Sequence, residues 1–96
     1  MRDLDLWLVR CFIVLAEERH FGRAAHRLHI SQPGLSRVIR SLEERVEAGL
    51  IVHNSRPLRF TAQGEALLLY GRRLLETQGE LGERWCRTFG DWASGP

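Results

Sequence analysis

Residues 20–47 read HFGRAAHRLHISQPGLSRVIRSLEERVE, and this stretch decides the fold. Phe21 to Leu28 has the composition of a short helix, with the small residues Ala24 and Ala25 leaving room for another helix to cross closely. His29-Ile30 makes a tight connection, and Leu28 and Ile30 are expected to anchor it in a core. Ser31 is a good N-cap for the helix that follows, and Pro33 falls in its first turn, where a missing N–H costs nothing. Leu35, Val38, Ile39, Leu42 and Val46 recur at helical spacing and form one apolar face. Gln32, Pro33, Ser36, Arg37 and Arg40 fall on the opposite side. Two helices joined by a few residues, the second with a polar outer face, make a helix-turn-helix, whose second helix can enter the major groove of DNA.

The charge pattern supports a polyanionic partner. The formal net charge of the 96 residues is only +2, which alone argues for no partner. Its distribution says more: residues 1–18 hold two Arg against four acids, 19–59 eight against three, and 60–96 four against five. The positive charge is concentrated on the two-helix unit. All fourteen basic residues are Arg. That suits bidentate contacts to phosphate or guanine, and it equally fits a bias in genomic base composition.

Working outward, Asp5 is expected to cap a first helix reaching about Glu18, with Leu6, Val9, Phe12, Ile13 and Ala16 on its buried face. Trp7 and Leu8 fall off that stripe and are either exposed or cover a second surface; Cys11 beside it reads as packing. Gly22 can act as a weak cap for the second helix. After the recognition stretch the chain is expected to turn at Ala48-Gly49. Leu50 to His53 and Leu58 to Phe60 read as the strands of a β-hairpin, turning at Asn54-Ser55-Arg56-Pro57 with Arg56 at the tip. Thr61 should cap a long helix from Ala62. Its residues Leu67, Gly71, Leu74, Gln78, Leu81 and Trp85 form a coiled-coil-like seam. So long a helix cannot bury its seam on so small a domain, so it is expected to pair with an identical chain; the alternative is a helix folded back on the domain. Gly79 and Gly82 should weaken its last turns, and Asp91 to Pro96 is expected to fray.

Other chemistries find little support. No nucleophile–base pattern, P-loop or dinucleotide fingerprint occurs, so neither catalysis nor a cofactor is expected. His26 and His29 sit three apart near His20, yet no carboxylate or thiol is placed to complete a metal site. Cys11 and Cys86 lack metal-site spacing and read as reduced thiols of a cytoplasmic protein. The N-terminus has no secretory cleavage pattern, and Cys11 to Ala16 is too short to span a membrane.

From about Leu6 to Leu75 the sequence resembles the N-terminal DNA-binding region of LysR-type transcriptional regulators. The resemblance rests on Phe12 with Ala16-Glu17-Glu18, Phe21 with Arg23-Ala24-Ala25, Leu28, Ser31-Gln32-Pro33, Leu35-Ser36-Arg37, Ile39, Leu42-Glu43, Leu50, Arg56-Pro57, Thr61 and Gly64. It implies a mainly α fold with a small β-hairpin, a winged helix-turn-helix followed by a long linker helix. The winged domain would span residues 4–61 (helix-turn-helix 21–40, wing 50–60), the dimerising linker 62–90 and the tail 91–96. The resemblance also implies that a large domain binding a small-molecule effector usually follows. This chain would then be a fragment or a naturally shortened relative. Three positions depart from the family pattern: Glu47 stands where Gly is common, with Gly49 available for the turn, Ile51 where Phe is expected, and His53 where a base is frequent. All three touch the wing or its approach.

The expected function is sequence-specific binding of double-stranded DNA by a homodimer, with the helix of residues 31–47 in the major groove. Gln32 and Arg37 are the expected base readers, for adenine and guanine respectively. Ser31 and Ser36 suit phosphate, Pro33 a thymine methyl or a sugar, and Arg23 and Arg40 the backbone; Arg56 would reach a minor groove or its flanking phosphates. Leu67, Leu74, Leu81 and Trp85 would hold the dimer. The rival is a truncated interaction module that pairs with a full-length relative and ignores DNA.

Overall fold

In the computed structural model, which describes residues 1–90, helix α1 (Leu6–Glu18) runs through the middle and touches three other helices. These are α2 (Phe21–Arg27), α3 (Gln32–Val46) and α4 (Ala62–Phe89). Between α3 and α4 lies a two-stranded antiparallel hairpin, β1 (Ile51–Val52) and β2 (Arg59–Phe60), with Ile51 opposite Phe60 and Val52 opposite Arg59. The fold is the mainly helical winged helix-turn-helix followed by a long helix that the resemblance implies. The expected fraying of Asp91–Pro96 lies outside the described residues. No helix among the described residues is long and apolar enough to cross a membrane.

Three caps sit where local sequence places them. Asp5 Oδ1 accepts from Trp7 N at 2.8 Å, Ser31 Oγ from Gly34 N at 3.0 Å and Thr61 Oγ1 from Gly64 N at 3.0 Å. The fourth corrects the reading of Gly22: α2 is capped by His20, whose Nδ1 accepts from Arg23 N at 3.0 Å. An imidazole nitrogen there does the work of the usual hydroxyl or carboxylate oxygen.

The central position of α1 explains why its buried surface exceeds one stripe. Leu8, Cys11, Val14 and Leu15 are buried along with Val9, Phe12, Ile13 and Ala16, while Trp7 stays exposed. Leu8 therefore covers a second surface, and Cys11 is packing. From α3 the core takes Leu35, Ile39 and Leu42, and from the wing Leu50 and Ile51. The Phe12 and Phe60 rings meet edge to face, centroids 5.4 Å apart, tying the wing to the core.

The turn between α2 and α3 has His29 in the left-handed region at φ 58°, with His29 N donating to His26 O and Ile30 N to Ala25 O. This is the Schellman pattern of paired closing bonds, which stops α2 and reverses the chain. The end of α3 departs from the sequence reading. Glu47 itself takes the left-handed conformation at φ 58°, so Gly49 does not supply the turn, and α3 stops at Val46. The strands are also shorter than expected, two residues each, because Ser55 bridges the hairpin: its Oγ donates to Val52 O at 2.7 Å and accepts from Arg59 N at 3.0 Å.

Helix α4 divides in two. Gly64, Leu68 and Gly71 are buried, and Leu67 and Leu75 pack partly against the same core. A Cβ on Gly71 would stand 2.8 Å from Val9 Cγ1, so glycine lets α4 cross α1 closely. Beyond Leu75 every described residue except Gly82 is exposed.

Candidate nucleic-acid interface

The polar side of α3 faces outward because its other side is fixed in the core. Leu35, Ile39 and Leu42 are almost fully buried, which leaves Gln32, Pro33, Arg37 and Arg40 exposed and Ser36 half-buried between them. Gln32, Pro33, Ser36, Arg37 and Arg40 line one shallow face. Ser31, also exposed, stands at its N-terminal end, its Oγ accepting the capping N–H while its O–H can still donate to an anion. The N-terminus of α3 adds partial positive charge to the same end.

Beside this ridge lies a groove of about 650 Å³ between α3, the start of α2 and the wing, with Gln32, Ser36 and Arg40 on one wall and Arg56 on the other. Arg37, Arg40 and Arg56 form no ion pair among the described residues. Their guanidinium groups are free to meet an anion.

Other charged side chains join parts of the domain to one another. Arg23, read as a backbone contact, donates from Nη2 to the Glu18 carbonyl at 2.9 Å, and its Nε lies 3.6 Å from Glu18 Oε1. These contacts join α1 to α2 and leave the side chain 64% exposed. Arg27 pairs with Glu17 at 2.8 Å and Glu18 at 3.2 Å, and those hydrogen bonds raise its pKa further above the ordinary arginine range. Glu43, which would repel phosphate if it faced outward, instead accepts the Leu50 N–H at 2.8 Å. Sequence reasoning missed this and also Arg19, whose Nη1 donates to the Leu58 carbonyl at 3.0 Å. That partner is 39 residues away, and no local pattern signals it.

On α4, Leu74, Leu81 and Trp85 are 47%, 61% and 46% exposed, with Tyr70 beside them at 58%. Leu67, by contrast, is partly covered by its own domain. His26 and His29 are exposed, and no group of three or more His, Cys, Asp or Glu placed to hold a metal occurs among the described residues.

Residues 6–65 match the model of the bacterial regulatory helix-turn-helix proteins of the lysR family. The chain belongs to the LysR family. The matched stretch runs from the start of α1 through the wing into α4, so it contains the whole candidate interface of this LysR chain. Among relatives, it is 48% identical over 71 residues to the transcriptional regulator XapR of Escherichia coli, covering 74% of this chain and 24% of XapR. It is 40% identical over 93 residues to the uncharacterized regulator YnfL of the same organism, covering 84% of this chain and 31% of YnfL. This LysR chain thus spans about a quarter to a third of the length of those relatives. Among solved structures, it superposes on the BenM DNA-binding domain, crystallised with catB site 1 DNA, with a TM-score of 0.85. That match has 34% identity and covers 97% of this chain and 100% of the other.

Proposed function

We propose that this region binds double-stranded DNA in a sequence-specific manner as part of a homodimeric LysR-type transcriptional regulator. The observation that carries the reading is the α3 ridge: Gln32, Pro33, Arg37 and Arg40 exposed on one side, with Leu35, Ile39 and Leu42 locked beneath. The likeness to the BenM domain in its DNA complex supports it. The N-terminal half of α3 enters the major groove. Gln32 pairs with adenine and Arg37 with guanine O6 and N7, each good pair giving about 1–3 kcal/mol of discrimination. Ser31, Ser36 and Arg40 meet phosphates, and Arg56 brings the wing to the backbone or minor groove. Arg23, which also holds α2 to α1, keeps an exposed side chain that can meet the backbone.

Pairing runs through Leu74, Leu81 and Trp85 on the outer half of α4, whose apolar side chains lie in water in the single chain. Leu67 sits at the inner edge of that seam. Two readers then face half-sites about one helical turn or a multiple apart. A small-molecule effector would act through a domain outside this stretch.

The test is enrichment of duplexes from a random pool by the purified chain, followed by binding of the selected duplex and a scrambled one. Arg37→Ala is expected to weaken the selected duplex by about 1–3 kcal/mol and the scrambled one much less. Equal losses on both would make Arg37 a phosphate contact, and no enrichment would remove the reading. Sedimentation equilibrium over a range of concentrations checks the dimer; a monomer that still enriches DNA would overturn the pairing alone.

A further inference from the structure

The wing has two residues per strand, and so small a hairpin has no stability of its own. Ser55 closes it internally, but its angle to α3 must be set from outside. The first strand is held by the buried Leu50 and Ile51 and by the Leu50 N–H on Glu43, and the Phe60 ring packs against Phe12 in the core. The return strand has a further tie in Arg19. This residue ends α1 in the left-handed conformation, φ 53°, with its N–H closing on Leu15 O at 2.8 Å. Its Nη1 donates to the Leu58 carbonyl at 3.0 Å, just before β2, and its guanidinium carbon lies 6.0 Å from the centre of the Phe60 ring. One side chain thus grips the return strand by a charged hydrogen bond and a cation–π contact.

We infer that Arg19 is a positioning residue of the DNA interface: it fixes the wing, and with it Arg56, relative to the α3 ridge. This rests on the DNA-binding reading above. It assigns to the corner between α1 and α2 a second task, since Glu18 holds α2 through Arg23 and Arg27 while the next residue holds the wing. Arg19 also borders the groove, so its guanidinium has a competing use as a direct phosphate contact.

The variant that separates these roles is Arg19→Gly. Glycine accepts the left-handed backbone more readily than arginine, so the helix end survives while the guanidinium is lost. Amide exchange in the DNA-free protein is expected to quicken about five- to tenfold at Arg59 and Phe60 and to stay unchanged along α3, the loss of one partly exposed charged hydrogen bond. Arg19→Lys keeps a donor without the planar fork and is expected to restore only part of that protection. On the selected duplex, Arg19→Gly and Arg56→Ala should be non-additive, the double variant losing little more than Arg56→Ala alone.

Losses that multiply, with hairpin exchange unchanged, would make Arg19 an independent DNA contact and overturn the proposal. Unchanged exchange would overturn it whatever the affinities. If the wild-type chain binds no duplex, the functional reading fails and this role fails with it. Faster hairpin exchange in Arg19→Gly would then still establish the contact with the wing.

Discussion

Gly64 and Gly79 lie in the same helix, and substituting each by alanine is expected to move stability in opposite directions. A Cβ on Gly64 would fall 2.2 Å from the Leu50 carbonyl oxygen, 3.1 Å from its carbon and 3.2 Å from Phe60 Cβ. Backbone cannot turn aside as a side chain does, and Leu50 is pinned on every side. Its N–H is held by Glu43 Oε2 at 2.8 Å, its carbonyl accepts from Thr61 N at 3.0 Å, and its side chain is 1% exposed. Making room costs about 1–3 kcal/mol of overpacking, together with about 1 kcal/mol if the Thr61 hydrogen bond is broken. Alanine returns at most about 1 kcal/mol of helix propensity. The net expectation for Gly64→Ala is a loss of about 1–3 kcal/mol.

Gly79 has nothing within 4 Å of its added Cβ, so Gly79→Ala keeps the propensity gain of about 0.5–1 kcal/mol with no clash. Urea denaturation followed by circular dichroism, all variants at one protein concentration, reads both changes. Gly71→Ala should fall between them, because its nearest obstacles, Val9 Cγ1 at 2.8 Å and Ile13 Cδ1 at 3.4 Å, are side-chain ends. A Gly64→Ala protein as stable as wild type would refute the close passage of α4 over Leu50.

Two further outcomes are expected. Burial pushes the Cys11 thiol from its ordinary 9.0 up to about 11. The unfolded chain loses that proton first, so between those two pH values the native state binds more protons and stability falls as pH rises, by up to about 2–3 kcal/mol. The absence of lysine leaves that window thinly populated by other groups. Denaturation curves of wild type and Cys11→Ala across it would agree in slope only if the assignment is wrong. Separately, Glu47→Gly is expected to stabilise by about 0.5–1 kcal/mol by relieving a left-handed residue, with Glu47→Ala giving no such gain. Thermal melts decide it, and a less stable glycine variant would show that the Glu47 side chain matters more than its backbone.

What could be read from the sequence was local. Asp5, Ser31 and Thr61 each reach an N–H two or three residues ahead, so the cap is written in adjacent letters. The Leu35, Ile39 and Leu42 face follows from the helical period, and the outward ridge of Gln32, Pro33, Arg37 and Arg40 follows from that face. His20 escaped notice because histidine is an uncommon cap. Val14 and Leu15 escaped because a helix covered on three sides has no single stripe. Arg19 with Leu58, and Glu43 with Leu50, are side-chain-to-backbone contacts that depend on the finished fold. Glu47 shows the limit from the other side: at a position where the resemblance led to an expectation of glycine, a glutamate takes the left-handed turn itself.

Leu50 is also where the proposed reading and pairing surfaces meet. Its N–H is bonded to Glu43 of α3, its carbonyl to the first residue before α4, and Gly64 of α4 rests against that same carbonyl. From there α4 continues along the domain core through Leu68 and Gly71. Helix α4 is therefore no tether: its first half is part of the domain that carries α3. Under the dimer reading, a tether would leave the distance between two readers free, whereas this joint passes the orientation of the paired helices directly to the ridges. Any tolerance for altered half-site spacing must then arise beyond Leu75, where α4 has left the domain and all described residues but Gly82 are exposed.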